Sequence, residues 1–522
     1  MKLADFYSST YAKISQNALA CGRALSDSRP SQFEVRIPLS TLNRHGLIAG
    51  STGTGKSRSA QLLAEQLSLA GVPVLFTDVK GDVSDFSTPA DAKKISQRCK
   101  DLSHPVIPTA FPAHYWSLST RLTPLRLSLD EINPALLSRF MGLNPTQESH
   151  LSVALLYAKQ KKFRVIDLED LSSLLKFLRE NPNEMAGLST STLEVLLRKS
   201  TELHASGLNS LFSASSIDPQ DILSQDEEGR GIINVLNLSD FRDKPDVFSA
   251  ATAFILYKLF ISLPDIGDQP KPVLAVFIDE AHYLFINANR SLVDLMTTIL
   301  RQIRSKGVAV FFITQEPQDI AEGVLGQLSN KVLFALRAFT QNDINEIRAL
   351  SRGLPPSQLY KIEDELKALP IGTSLCAFLS ETGELLPPIK TAWYSPSSSM
   401  GMASEQLMLS ISRQSPLHSR YTQKARKEKL SISTGAPAPS AAPASRRRAA
   451  PQPQEEPRAP GFVSFLGLLA KRFIGFIGWT LDQIIKGILN FIGWILHKLI
   501  FAPLTSIFHT LTFGIFRRKR RR

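Results

Sequence analysis

Gly50, Ser51, Thr52, Gly53, Thr54, Gly55, Lys56 and Ser57 follow one another and satisfy the Walker A pattern without a mismatch. The glycines let successive backbone N–H groups curl around phosphate oxygens, and a helix start at this point adds its positive dipole end. Lys56 is the residue to reach the β- and γ-phosphates, and the Ser57 hydroxyl is the one to coordinate Mg²⁺. A loop of this kind needs an acid for the metal. Asp279 and Glu280 close the apolar run VLAVFI and precede Ala281 and His282. The first carboxylate would hold Mg²⁺, through water, and the second would orient and deprotonate an attacking water. A lone Asp-Glu pair would read as a solvated loop; beside a Walker A loop it reads as a site. Gln315 sits at the end of the next strand, in VFFITQEP, where an amide could touch a γ-phosphate or its attacking water. Asp78 ends VPVLFTD, and Asp78 and Asp82 suit a turn-capping role as well as a site role.

The elements that would carry these residues are short, continuous apolar runs: GLIAG (46–50), VPVLFTD (72–78), GIINVLNL (231–238), PVLAVFID (272–279), VAVFFIT (308–314) and VLFAL (332–336). Such runs suit strands buried on both faces of a parallel sheet. Helical patterns lie between them, including 57–71 and 292–307, the latter stopping at Gly307. The expected fold class is α/β, a P-loop NTPase with a mostly parallel sheet between helices. Another strand is expected to separate the strands that bear the two motifs. Residues 130–230 carry several helical stretches and read as a helical insertion. The expected divisions are an N-terminal segment (1–36), an ATPase domain (37–400), a Pro/Ala/Ser-rich basic linker (401–460) and an apolar tail (461–522).

The 522 residues are 43% hydrophobic and 20% charged, which excludes global disorder. The formal net charge of +13 would ordinarily suggest a nucleic-acid or anionic-membrane partner. Its distribution changes that reading. Residues 1–400 hold 40 Lys+Arg against 42 Asp+Glu, and residues 401–522 hold 20 against 5. The body is therefore −2 and the remainder +15. Cys21, Cys99 and Cys376 are too far apart for a metal-ligand pattern or a disulfide framework, and read as reduced packing cysteines. The first residues contain no apolar run of signal-peptide length, so the body is expected to be cytoplasmic.

Several stretches together resemble the HerA/FtsK superfamily of ring-forming motor ATPases, and within it the bacterial YjgR-like branch. They are NRHGLIAGSTGTGKS (43–57), VLFTDVKGD (74–82), LLSRFMGLNPTQ (136–147), FIDEAHYLF (277–285), IRSKGVAVFFITQEPQDI (303–320) and VLGQLSNKVLFALRAFT (324–340). The resemblance spans roughly 40–380. It implies a RecA-like core, ATP and Mg²⁺ as ligands, and a homo-oligomeric ring, expected to be a hexamer. It implies the family's roles for Lys56, Ser57, Asp279, Glu280 and Gln315. A ring also implies an arginine finger, for which Arg337 and Arg304 are the candidates, with Arg337 favoured for sensing phosphate; either could instead be a surface salt-bridge partner.

The tail departs from that family. In 461–516, FIGW occurs at 476–479 and 491–494. At 100° per residue Lys471, Arg472, Asp482, Lys486 and His497 share one stripe, which suits a helix lying in a bilayer interface. Residues 499–516 lack a formal charge, and six cations, Arg517 to Arg522, follow. Such a cluster fits an anionic leaflet. An oligomer contact or binding to DNA phosphates would use the same features. The expected location is the inner face of the cytoplasmic membrane. The leading functional reading is an ATP-driven DNA translocase, with double-stranded DNA as partner by resemblance alone. Its rivals are a membrane-tethered ATPase acting on a protein partner and a non-catalytic nucleotide-binding scaffold.

Overall fold

The computed structural model describes residues 2–422, apart from 27, 28, 82, 185, 186, 287, 289, 338 and 339. The expected tail at 461–522, most of the expected linker and Asp82 lie outside the described residues. Among the described residues, twelve strands form one sheet. They are β1 (Ala18–Ser26), β2 (Arg29–Pro38), β3 (Gly46–Ala49), β4 (Val74–Asp78), β5 (Ala113–Ser117), β6 (Thr123–Pro124), β7 (Ile233–Asn237), β8 (Leu274–Ile278), β9 (Val308–Thr314), β10 (Asn330–Phe334), β11 (Thr373–Ala377) and β12 (Ile389–Trp393). Their order is β2-β1-β12-β11-β10-β3-β9-β8-β4-β7-β5-β6. From β10 to β6 all neighbours are parallel, and the β2-β1-β12-β11 end is antiparallel. The expected mostly parallel α/β architecture is the observed one. All six expected strands are present, and β9 is the strand that separates β3 from β8.

Apolar continuity explains the central strands. Every residue of β3, β4, β8 and β9 is buried. Phe76, Phe277 and Phe311 stack across β4, β8 and β9 with centroid separations of 5.5 and 4.9 Å. The stack ends at Gly46 of β3, where a Cβ would meet the Phe311 ring at 2.4 Å, so a close approach requires glycine there. The helix Pro245–Ser262 is apolar on all sides and long enough to cross a membrane, but 61% of it is buried in the protein, as in a core helix.

The expected insertion at 130–230 contains the helices Pro134–Phe140, Pro145–Gln160, Leu168–Glu180 and Thr190–Ser206. Their starts are chemically marked. Asn144 and Gln147 form a capping box, and Asp167 accepts the N–H groups of Glu169 and Asp170.

Two boundaries differ from expectation. The 1–36 segment supplies β1 and the body of β2, which pair with each other and join the sheet through β12, with Gly22 opposite Trp393. Their burial alternates rather than runs continuously, so a search for unbroken apolar runs passes over them. At the other end, Glu405–Gln414 is a helix inside the expected linker. Ser404 caps it, Met408 is buried, and Ser412 Oγ donates to the Tyr115 carbonyl at 3.2 Å.

His45 fixes the start of β3. Val310 N–H donates to its Nδ1 at 3.1 Å, so Nε2 carries the proton and donates to the Leu300 carbonyl at 2.6 Å. Burial lowers its pKa from 6.5 to about 4. Between those values the unfolded chain binds a proton that the native ring refuses, so this contribution is complete above pH 6.5 and is lost as pH falls toward 4. By pH 4 the loss from this group should reach about 3 kcal/mol. Urea midpoints measured against pH should fall over that window, and His45→Gln should flatten the slope.

Candidate active site

The parallel register brings the carboxyl ends of four strands to one edge. Ala49 of β3 lies opposite Thr314 of β9, Ile278 of β8 opposite Phe312, and Thr77 of β4 opposite Ile278. The Gly50–Gly55 loop, Gln315, Asp279–Glu280 and Asp78–Lys80 leave from these ends. Ligands of open α/β sheets bind outside such ends.

The loop is anchored on both sides. Gly50 N–H donates to the Thr314 carbonyl at 3.3 Å and Ser51 N–H to the Ala335 carbonyl at 2.9 Å. Gly55 takes φ +121°, open to glycine but costly for other residues, and caps the helix Lys56–Leu69. Lys56 is buried, and its Nζ donates to the carbonyls of Gly50 and Ser51 at 2.6 and 3.0 Å. The Gly372 N–H reaches the Thr54 carbonyl at 2.8 Å, tying the loop to the turn before β11.

Glu280 is only 3% exposed and sits at φ 47°, ψ 45°, a left-handed conformation unusual for this residue type. Such strain persists where surrounding contacts impose it. Gln315 Nε2 donates to Glu280 Oε1 at 2.7 Å, and Thr52 Oγ1 donates to Gln315 Oε1. Lys80 Nζ is paired with the same Oε1. His282 Nδ1 lies 3.3 Å from Glu280 Oε2 and 3.3 Å from Thr314 Oγ1. Burial lowers the His282 pKa, outweighing the attraction of Glu280, so the ring is held toward its neutral form. Asp279 is buried, and its N–H donates to Thr77 Oγ1 at 3.2 Å.

A cavity of about 610 Å³ joins these groups. Thr52, Gly53, Gly55, Lys56, Ser57, Asp279, Glu280 and Gln315 line it, together with Arg58, Lys80, Lys94 and Arg98. The far wall comes from Ile371, Gly372, Trp393, Tyr394, Ser395, Pro396 and Met400. Cations outnumber carboxylates on its surface, as suits a polyanion. Ser57 and Asp279 face one cavity and fit a Mg²⁺ site. Among the described residues no group of three or more His, Cys, Asp or Glu could hold a metal alone. Magnesium in such a site takes its remaining ligands from water and phosphate.

The expected site residues are thus brought together, with two qualifications. Arg337 lies past the end of β10, in a loop rather than a strand. Its N–H donates to Ser51 Oγ at 3.1 Å, while its side chain is exposed and not part of the cavity wall. Arg304 is not brought to the site of its own chain. It precedes β9 at the amino ends of the strands, 3.8 Å from Asp268, on the edge opposite the loop. Asp78 acts as a cap: its Oδ1 accepts the Gly81 N–H at 2.7 Å.

Sequence reasoning missed Lys80, Lys94, Arg98 and the 371–396 wall. Lys80 stands inside the stretch DVKGD, where the acids drew attention. Nothing in the local sequence marks Arg98. It belongs to the helix Ala92–Asp101, and its guanidinium bridges two carbonyls, Trp393 at 2.9 Å and Gly372 at 2.6 Å.

This sheet, loop and acid arrangement define a P-loop NTPase with a RecA-like core. The helicase HerA-like C-terminal family model matches residues 23–466, and the chain belongs to that family. It is 26% identical over 326 residues to a protein of Sulfurisphaera tokodaii named DNA double-strand break repair helicase HerA, covering 59% of this chain and 58% of that protein. A Saccharolobus solfataricus protein of the same name is 24% identical over 354 residues, covering 66% and 63%. The chain thus spans about three-fifths of the length of these relatives. Among solved structures, the bacterial conjugative coupling protein TrwBdeltaN70 superposes with a TM-score of 0.50 at 15% identity, over 76% of this chain and 93% of that one, which is a likeness of fold.

Replacing Arg98 by Leu removes both carbonyl bonds that join the Ala92–Asp101 helix to the cavity's far wall. The expected cost is about 2 kcal/mol, read as a lower midpoint in thermal or urea unfolding.

Proposed function

We propose that this protein is a Mg²⁺-dependent ATPase of the HerA/FtsK motor type that works as a homo-oligomeric ring on double-stranded DNA. The observation that carries the hydrolytic reading is the buried Glu280 carboxylate, held by Gln315 and facing the Lys56 loop across one cavity.

Lys56 would turn its ammonium from the loop carbonyls to the β- and γ-phosphates. Glu280 would take a proton from water as the water oxygen attacks the γ-phosphorus. The bond from that phosphorus to the bridging oxygen breaks, and ADP leaves with the electron pair. Gln315 is placed to orient the water, and its bond with Thr52 links the attacking side to the phosphate loop. Ser57 and Asp279 are the residues that would hold magnesium, whose contribution is to neutralise charge on the β- and γ-phosphates. Arg337, beside the loop of its own chain, suits sensing in cis. Arg304, on the far edge, could serve only a neighbouring subunit.

The DNA and ring readings rest on family membership and on the names of the relatives. A body at −2 offers no bulk basic footprint, so DNA contact would be local to a pore. Membrane association is proposed from the sequence of 461–522, with its polar stripe on an otherwise largely apolar segment and its six terminal cations.

The full chain should hydrolyse ATP with Mg²⁺, faster with double-stranded DNA. Glu280→Gln should lower kcat by about a hundredfold or more while fluorescent mant-ATP still binds. Parental rates in that variant would remove Glu280 from the base role. Deleting 461–522 should move the protein from the membrane fraction to the soluble one; retention in the membrane would refute the anchor.

A further inference from the structure

We infer that Lys80 is a second catalytic cation of this site, one that passes from Glu280 to the terminal phosphate of a bound nucleoside triphosphate. The inference deepens the ATPase reading and rests on it.

Lys80 follows β4, the strand next to β8 in the sheet, and Thr77 lies opposite Ile278. Lys80, three residues past Thr77, and Glu280, two past Ile278, therefore emerge side by side at the carboxyl edge. The Lys80 backbone is pinned: Arg242 donates to its carbonyl, and Asp78 holds the next N–H, that of Gly81, at 2.7 Å. Its side chain is long and reaches the cavity. It is 39% exposed and lines the cavity shared by Lys56, Asp279 and Gln315. A fixed backbone with a long, partly solvated side chain can redirect its charge without moving the strand.

In the structure that charge is spent on Glu280 Oε1, the oxygen that also accepts Gln315 Nε2. His282 approaches the other oxygen. Oε2 itself accepts no hydrogen bond from the described residues, so the Lys80 ammonium and the Gln315 amide are both gathered on Oε1. A terminal phosphate carries roughly −1.5 to −2 charge against −1 for the carboxylate, so at equal distance it attracts the ammonium more strongly. Transfer of Lys80 would then act on the transferring group itself. It would place a further positive charge where negative charge grows on the γ-phosphoryl group.

The test compares full-length parent, Lys80→Met and Lys80→Arg. Melting temperature first establishes folding; if Lys80→Met fails that check, Lys80→Gln replaces it. For Lys80→Met the expected result is a kcat lower by about a hundredfold, with KM and mant-ATP affinity changed far less. Affinity for ADP with aluminium fluoride, a mimic of the transferring phosphoryl group, should drop while affinity for ADP alone holds. Lys80→Arg should recover part of the rate. An unchanged or raised kcat in Lys80→Met would overturn the inference, since a lysine that merely restrains Glu280 would release activity when removed. A parent that does not hydrolyse ATP would instead overturn the ATPase reading itself.

Discussion

The site depends on the parallel hydrogen-bond register of β3, β9, β8 and β4. Backbone ladders set this register, and the stacked Phe76, Phe277 and Phe311 rings reinforce it on one face. Because all four strands run the same way, their carboxyl ends form one edge, and the residue after each end faces a common space. A slip of one residue in any of them would turn its buried side chains to the other face. Lys56, Asp279, Glu280, Gln315 and Lys80 thus owe their meeting to the sheet, although they come from distant parts of the chain.

The edge collects charge of both signs, and the protein holds the pieces in different ways. Lys56 is folded onto loop carbonyls, Glu280 is held in a left-handed backbone conformation between Gln315, Lys80 and His282, and Arg98 is committed to two carbonyls of the far wall. Most of these polar atoms are paired with one another, while Glu280 Oε2 accepts no hydrogen bond from the described residues. A polyanion entering the cavity changes which pairings are best.

Much of this was legible in the chain. The Walker A loop needs local residues in fixed order, and the strands of the parallel core are unbroken apolar runs, so both signals are contiguous. The Asp279–Glu280 pair was legible because it directly follows such a run. Other parts were not. β1 and β2 are half-buried and short of apolar continuity, and their place is decided by pairing with β12 from the other end of the chain. The helix Glu405–Gln414 begins within an expected linker, and only its packing against β5 through Ser412 reveals it as part of the body. Arg304 and Arg337 have the same side chain, and nothing in their local sequence says which meets the site; the sheet puts Arg337 beside the phosphate loop and Arg304 at the opposite edge.

The sequence by itself determined the phosphate loop, its supporting acids, the α/β class and the separation of a near-neutral body from a +15 remainder. These are properties of neighbouring residues, set by covalent order and local periodicity. The tertiary structure alone decided that Lys80 pairs with Glu280, that Gln315 joins Glu280 to Thr52, and that Arg98 and 371–396 complete the cavity. Apart from the Gln315–Glu280 bond, which spans 35 positions, those contacts join residues 200 or more positions apart. Only the adjacency of strands in the folded sheet brings such distant groups within hydrogen-bonding reach.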